Sequence, residues 1–391
     1  MGLFGKFKKE EAPQVVEIGN NYQSFSTPFL KMPQGDLSLP FVDARYQSRD
    51  IIPFGSDNLY PQHLNQLYFS SPLHSSITNF KVNAVCGGGY ELLDENMTAK
   101  EKVDLFAFER KVGFRKHLKP TLLDLIIHGR VYFALTIKNG IVTNIKKVGA
   151  EKVRVNADKS VYSVCDDWQY SKNTKQYKPY NKECKNGEYI YVYENTSLGQ
   201  DYYPIPSYTS AANWIFLDGE MSYLHKSNIQ NSVFPSFALM FPKKPQSTEE
   251  MEMIKSTIEK MKGASNAGKA VAFFANNKES MPELTAVPTN SNDQLFIQTD
   301  GRIDEKICQA HQIDPLIMGI RVSGKLGSGM ELEQSYLTFE KNTVIPLREE
   351  LEEIFNDLLK IGNINAEFVC VEYRVVGESI VETTQTQKTE E

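Results

Sequence analysis

Apolar and polar positions change period several times along this chain, and each change marks an element. Residues 1–45 have no period at all: a basic tip (Lys6, Lys8, Lys9) runs into polar spacers broken by Pro13, Pro28, Pro33 and Pro40. That pattern predicts an N-terminal arm lying on something else. A helix is predicted over 72–85, stopped by the glycines 87–89, which then open a strand. Thr98-x-x-Glu101 is a capping box heading a helix to about Lys111, and a second apolar helix follows over 114–128.

From residue 131 the pattern alternates. Residues 131–138 and 141–148 flank Asn139-Gly140, which supplies the two positive φ angles of a type I′ turn, so a hairpin is predicted. Strands are expected at 152–156, 161–164 and 188–193, with the Tyr/Lys/Asn-rich stretch 168–185 as a surface excursion. A helix is expected from Pro206 to about Ile229. Its apolar stripe Trp214, Leu217, Met221, Leu224 recurs at 3–4–3 spacing, a narrow seam suited to helix-on-helix packing.

Beyond it the pattern predicts a compact β-α-β insert. It comprises a strand over 234–241, a helix capped by Ser247-x-x-Glu250 and running to Lys262, a turn over 263–268 and a strand over 269–275. A loop follows, then a helix over about 293–311 and a glycine-rich loop over 319–329. The last long helix, about 331–360, places Leu347, Leu351, Ile354 and Leu358 on one face and is expected to kink or break at Pro346. A strand over 366–376 and a polar tail close the chain.

Composition narrows the function. The chain has 391 residues, 41% hydrophobic and 24% charged, enough for two or three packed cores and too apolar for disorder. No apolar run approaches the length that spans a bilayer, and the N-terminus reads as neither a secretory leader nor a lipidation signal. Five cysteines, odd in number and without a C-x-x-C pair, encode neither a disulfide framework nor a zinc site, which suits a reducing cytoplasm. The net charge of −6 means that any contact with nucleic acid is local or weak.

Candidate chemistry is sparse. Residues 263–269 and 319–325 both match G-x-x-x-x-G-K, but Ala270 and Leu326 stand where a phosphate-binding loop needs Ser or Thr. The first also runs helix to strand and the second helix to helix, whereas that loop must run strand to helix. A nucleotide hydrolase using Lys269 or Lys325 is therefore a minor alternative, as is an interaction scaffold of unrelated fold. No histidine pair has metal spacing, and His225 and His311 read as packing or surface residues. Asp166-Asp167, an adjacent pair, points its carboxylates apart. No catalytic residue, metal or cofactor is expected. Lysines and glutamates interleave over 243–262, which reads first as a near-neutral solvated face and, among functional readings, as a partner-protein contact.

Four runs in the C-terminal half stand out: YPIPSYTSAAN at 203–213 opening a helix that ends in NSVFP at 231–235, GASNAGK at 263–269 after an acidic amphipathic helix, IDEKICQAHQIDPLIMG at 303–319, and EQSYLTFEKNTVIP at 333–346 followed by LREELEEIF. In these the C-terminal half resembles the portal (head–tail connector) proteins of tailed bacteriophages in their compact form. The four runs cover about 203–359; the N-terminal half agrees in the order of its elements.

The resemblance implies an α+β portal fold with a wing, a helical stem and a small α/β clip, assembled as a ring around a central channel. It assigns 1–45 to an N-terminal arm, 46–204 to the wing, 205–233 to the descending stem helix and 234–290 to the clip. The ascending stem helix would be 291–318, the tunnel loop 319–330, the crossing helix and closing strand 331–377, and the tail 378–391, with the crown reduced or absent. Gly301, inside the ascending helix, is expected to bend it.

By the same resemblance the chain forms the channel at one capsid vertex through which double-stranded DNA is packaged and ejected. It would be a non-enzymatic virion component assembled in the bacterial cytoplasm. Its implied partners are itself, usually as twelve subunits, double-stranded DNA without sequence preference, the terminase large subunit, the head–tail adaptor, and the major capsid protein or scaffold. Arg321, Lys325, Ser323 and Ser328 would touch DNA from a loop kept flexible by Gly319, Gly324, Gly327 and Gly329. Lys243, Lys244, Glu249, Glu250 and Lys269 would face terminase, and Trp214, Leu217, Met221 and Leu224 would pack the stem. Identical helices side by side give a heterologous contact that closes into a ring, and an acidic subunit with few mobile cations avoids gripping DNA tightly.

Overall fold

The structure is a computed structural model. It describes residues 51–94, 97–170, 173–231, 238–240, 283–285, 292–320 and 329–372, with positions 248 and 252. The predicted arm and polar tail lie outside them.

Two helices open the described chain, α1 (Tyr60–Ser70) and α2 (Pro72–Cys86), separated by Ser71, whose hydroxyl caps α2 by accepting from His74 N–H. The sequence pattern gave only the second of these. In α1 the apolar positions Tyr60, Leu64 and Leu67 turn inward together, and Pro61 sits in the first turn, where its missing N–H costs nothing. Strand β1 (Tyr90–Leu93) follows the glycines, then α3 (Ala99–Val112) with its capping box formed by Thr98 and Glu101, and α4 (Phe114–His128).

The predicted hairpin is present as β2 (Arg130–Lys138) and β3 (Ile141–Val148), with Asn139 at φ 52° and Gly140 at φ 75°. With β4 (Val153–Val155), β5 (Tyr162–Val164), β6 (Lys175–Pro179) and β7 (Gly187–Glu194) it forms a six-stranded sheet ordered β3-β2-β7-β6-β5-β4. Its pairs are antiparallel except β6 with β7, where Lys178 and Pro179 lie parallel to Tyr189 and Ile190. Strand β6 falls inside the stretch expected to be a surface excursion. Only Tyr177 of its five residues is buried, so no alternating pattern betrays it.

The 3₁₀ turn Ser207–Ala211 leads into α5 (Ala212–Asn231), correcting a helix expected to begin at Pro206. Strands β8 (Ala238–Met240) and β9 (Glu283–Thr285) pair antiparallel; the second replaces part of an expected loop. Of the helix capped at Ser247 only positions 248 and 252 are described, both helical, and the strand over 269–275 lies outside the described residues. Helix α6 (Asn292–Ala310) is continuous through Gly301.

The predicted last helix is two helices, α7 (Gly329–Phe339) and α8 (Ile345–Ile361), joined by a π-helical turn, Glu340–Val344. Pro346 explains the break, which falls just before it. Its nitrogen has no hydrogen for the Asn342 carbonyl and its ring crowds that carbonyl, and widening the preceding turn relieves both. Strand β10 (Glu367–Cys370) pairs with β1, and beyond Glu372 the expected strand leaves the described residues.

The core joins these layers. Phe355 of α8 stacks on Phe368 of β10 at 4.7 Å, and Phe114 meets both edge-on. Gly88 lies so close to β10 that a Cβ there would stand 2.2 Å from the Val371 carbonyl oxygen. At the other side Phe54 stacks on Tyr203 at 4.5 Å, under the guanidinium of buried Arg130. That stack fixes the chain just before α1 to the chain just before α5. All five cysteines are unpaired, and no helix among the described residues is long and apolar enough to cross a membrane.

Candidate functional site

Helices α5 and α6 leave and re-enter the same body and pack against each other, with the β8–β9 pair between them in sequence. Where they meet the body they are buried: Ala212 and Ile215 of α5, and Ile303, Ile307 and Cys308 of α6. Gly219 lets α5 approach α1 closely, since a Cβ there would lie 3.1 Å from that of Ser70. Asp218 is fastened to the start of α2, accepting from the Ser71 hydroxyl at 2.5 Å.

The predicted stripe lies on the opposite side of α5. At 100° per residue, Trp214, Leu217, Met221 and Leu224 point about 170° away from Ala212, Ile215 and Gly219. Trp214 and Met221 are half-buried, while Leu217 is 44% and Leu224 38% exposed. Tyr223 beside them is also exposed. Helix α5 thus packs into the subunit through Ala212, Ile215 and Gly219, sets Trp214 and Met221 partly against the core, and leaves Leu217 and Leu224 exposed.

Further along, the α6 end is locked. His311 is buried; its Nε2 lies 2.7 Å from His74 Nδ1, and its ring stacks on Tyr208, whose hydroxyl donates to the Ile127 carbonyl at 3.0 Å. Burial holds both histidines neutral, His74 down at about 3 and His311 well below its ordinary value, with Lys81 adding to each effect. The sequence brought no two histidines to metal spacing, and this pair, 237 positions apart, carried no local signal.

Next comes the base of the glycine-rich loop. Asp314 caps the 3₁₀ turn Pro315–Met318 by accepting from Leu316 N–H at 3.0 Å, and Gly319 ends the turn at φ 74°. The other carboxylate oxygen of Asp314 accepts from the Ser335 hydroxyl of α7 at 3.1 Å. The two bases of the loop, one before residue 321 and one after residue 328, are thus tied together. Since Gly319 follows a helical turn and Gly329 begins a helix, this segment lacks the strand-to-helix setting of a phosphate loop.

Arg321, Ser323, Gly324, Lys325, Gly327 and Ser328 lie outside the described residues, as do Lys243, Lys244, Glu249, Glu250 and Lys269. Asp166 pairs with Lys152 at 2.8 Å, and Asp167 accepts from the amides of Gln169 and Tyr170, so each serves its own loop.

Two electrostatic features escaped sequence reasoning. Asp304 of α6 is pushed up to about 6 by burial and by neighbouring Asp218 and Asp300, an acidic cluster where α2, α5 and α6 meet. Asp124, His128 and Glu151 also converge, their ligand atoms within 4.8 Å of one another. A metal cation is opposed there by Lys147, which pairs with Asp124, and by Arg130 and Arg154, which with Lys147 help to hold His128 neutral.

Comparison with known proteins bears on this arrangement. The neck of an empty GTA particle computed with C6 symmetry contains a chain 16% identical, with a TM-score of 0.57, covering 85% of this chain and 89% of that one. The neck of the native GTA particle computed with C12 symmetry gives 15% identity and a TM-score of 0.53, covering 81% and 86%. The virion of the native gene transfer agent gives 15% and 0.52, covering 80% and 84%. At such identity these likenesses show the fold. No curated protein matches the chain. The family model described as phage portal protein matches residues 111–378, from the end of α3 past β10, and so takes in the sheet, the α5–α6 pair, the glycine-rich segment and the α7–α8 pair. With more than half of its length under that match, the chain belongs to the phage portal protein family.

Proposed function

We propose that the capsid portal function this chain has through its family is exercised as a ring of twelve subunits whose neighbours meet through the outer stripe of α5. The observation that carries this is the opposition of the two faces of α5: Ala212, Ile215 and Gly219 buried inside the subunit, Leu217 and Leu224 exposed. An exposed apolar stripe on a helix is a liability for a lone subunit and a contact for a repeating one. Closing the contact by rotation leaves an axial hole, through which double-stranded DNA is packaged and later ejected.

In this reading α5 and α6 are the stem and residues 234–290 the clip. Lys243, Lys244, Glu249, Glu250 and Lys269 face the terminase large subunit and, after packaging, the head–tail adaptor. Residues 319–330 hang into the channel, where Arg321, Lys325, Ser323 and Ser328 contact DNA phosphates without reading sequence. Residues 46–204 and 331–377 form the wing that meets the capsid protein or scaffold, with 1–45 as an N-terminal arm and 378–391 as a tail. Assembly takes place in the host cytoplasm, and the energy of translocation comes from the motor, the ring itself hydrolysing nothing. The tie between Asp314 and Ser335 supports the loop assignment, because a segment acting on DNA needs fixed bases.

The test is a double substitution, Arg321→Ala with Lys325→Ala. Rings are expected to form in normal yield while packaged genome length or DNA retention changes. Unchanged genome length and particle yield would count against a lumenal role for these residues.

A further inference from the structure

A cavity of about 540 Å³ opens where α2, α4, the 3₁₀ turn before α5 and the π-helical turn meet. Its wall includes Lys81 of α2, which is only 6% exposed. Burial alone shifts this amine, pulling it down to about 8, and no carboxylate among the described residues acts on it. At neutral pH it remains largely charged, so the cavity wall carries a poorly solvated cation that no ion pair among the described residues engages. Thr343, on the π-helical turn, lines the same cavity; its hydroxyl is buried and has no partner among the described residues.

The other groups facing the cavity do not relieve the charge. His311 is held neutral and is already bonded to His74. Glu350 accepts from the Asn195 amide at 3.4 Å, burial raises its carboxyl, and Lys81 is not among the groups that shift it. Asn342 and Gln312 add neutral amides. A buried ammonium without a counter-charge is destabilising. Water would satisfy its hydrogen bonds and leave the charge. One buried ammonium is matched by one negative charge, and a dianion would overshoot it.

We propose that this cavity binds a carboxylate, whose oxygens accept from the Lys81 ammonium and the Thr343 hydroxyl. The carboxylate belongs either to a small organic acid or to an Asp or Glu side chain of the neighbouring copy in a ring. Held there, it ties α2 to the turn that interrupts the crossing helix, next to the segment that carries the base of the 321–328 loop. The inference stands on the subunit's own geometry and does not depend on the assignment of the loop or the clip.

The experiment measures thermal unfolding of full-length rings and of isolated full-length subunits in sodium acetate and in sodium chloride at equal ionic strength and pH 7.5. Wild type is compared with Lys81→Met and Thr343→Val. For a free acid, the ring midpoint rises saturably with acetate and not with chloride, Lys81→Met abolishes the rise, and Thr343→Val weakens apparent affinity at least tenfold. For a neighbour's side chain, rings ignore acetate, isolated subunits respond to it, and Lys81→Met raises the concentration needed for assembly at least tenfold. Should Lys81→Met not fold, Thr343→Val carries the comparison. The proposal is overturned if acetate and chloride act alike on both preparations, or if the variants respond to acetate as wild type does.

Discussion

His74 Nδ1 and His311 Nε2 face each other at 2.7 Å inside the core, joining α2 to the residue that follows α6. The contact requires at least one of the two rings to be neutral, because a hydrogen bond between them needs a nitrogen that accepts. Burial and Lys81 supply that condition by holding both below the ordinary histidine range.

Acid is therefore predicted to loosen this junction. Both rings bind protons more readily in the unfolded chain, so their contribution is fully present above pH 6.5 and is lost as pH falls from there toward about 3. Between pH 6.5 and 5, before most carboxylates titrate, urea midpoints should fall with pH. His311→Gln should lower stability at pH 7.5 by roughly 1–3 kcal/mol and reduce that slope by about one proton. An unchanged slope would show that the pair does not titrate with unfolding.

Gly88→Ala should destabilise the subunit by about 1–3 kcal/mol, because the new Cβ would meet the Val371 carbonyl oxygen at 2.2 Å and drive β1 from β10. Gly301→Ala provides the control: nothing lies within 4 Å of a Cβ there, and the substitution favours helix, so stability should hold or rise by about 1 kcal/mol. Chemical denaturation of both variants decides it.

Leu217→Glu combined with Leu224→Glu should leave far-UV circular dichroism unchanged, since both side chains are already exposed in the subunit. Sedimentation should then find subunits in place of rings. Rings of normal yield would move the inter-subunit contact elsewhere.

What the sequence disclosed follows the range of the forces involved. The Thr98–Glu101 box, the Asn139-Gly140 turn and the bounds of α4 rest on neighbours within a few positions, and each could be read from the chain. Pro346 announced a disturbance but not its form, because whether a helix kinks, stops or widens by one residue depends on what packs around it. Helix α1 carried its signal in Tyr60, Leu64 and Leu67, diluted by the polar residues between them. Strand β6, buried only at Tyr177, had no signal to give. The stripe on α5 was legible as a seam, yet only the structure shows that Leu217 and Leu224 of it are exposed while Trp214 and Met221 lie partly against the core. The Lys81 cavity and the histidine pair join residues distant in the chain, and no spacing encodes them.

The central claim is that copies of this chain close around an axis. Electron microscopy of the purified full-length protein, viewed end-on and class-averaged, tests it most directly. The account predicts a closed ring with rotational symmetry and a hole wide enough for duplex DNA, about 20 Å or more across. Single solid particles of one subunit's mass at assembly concentrations, with no hole in any class, would contradict it.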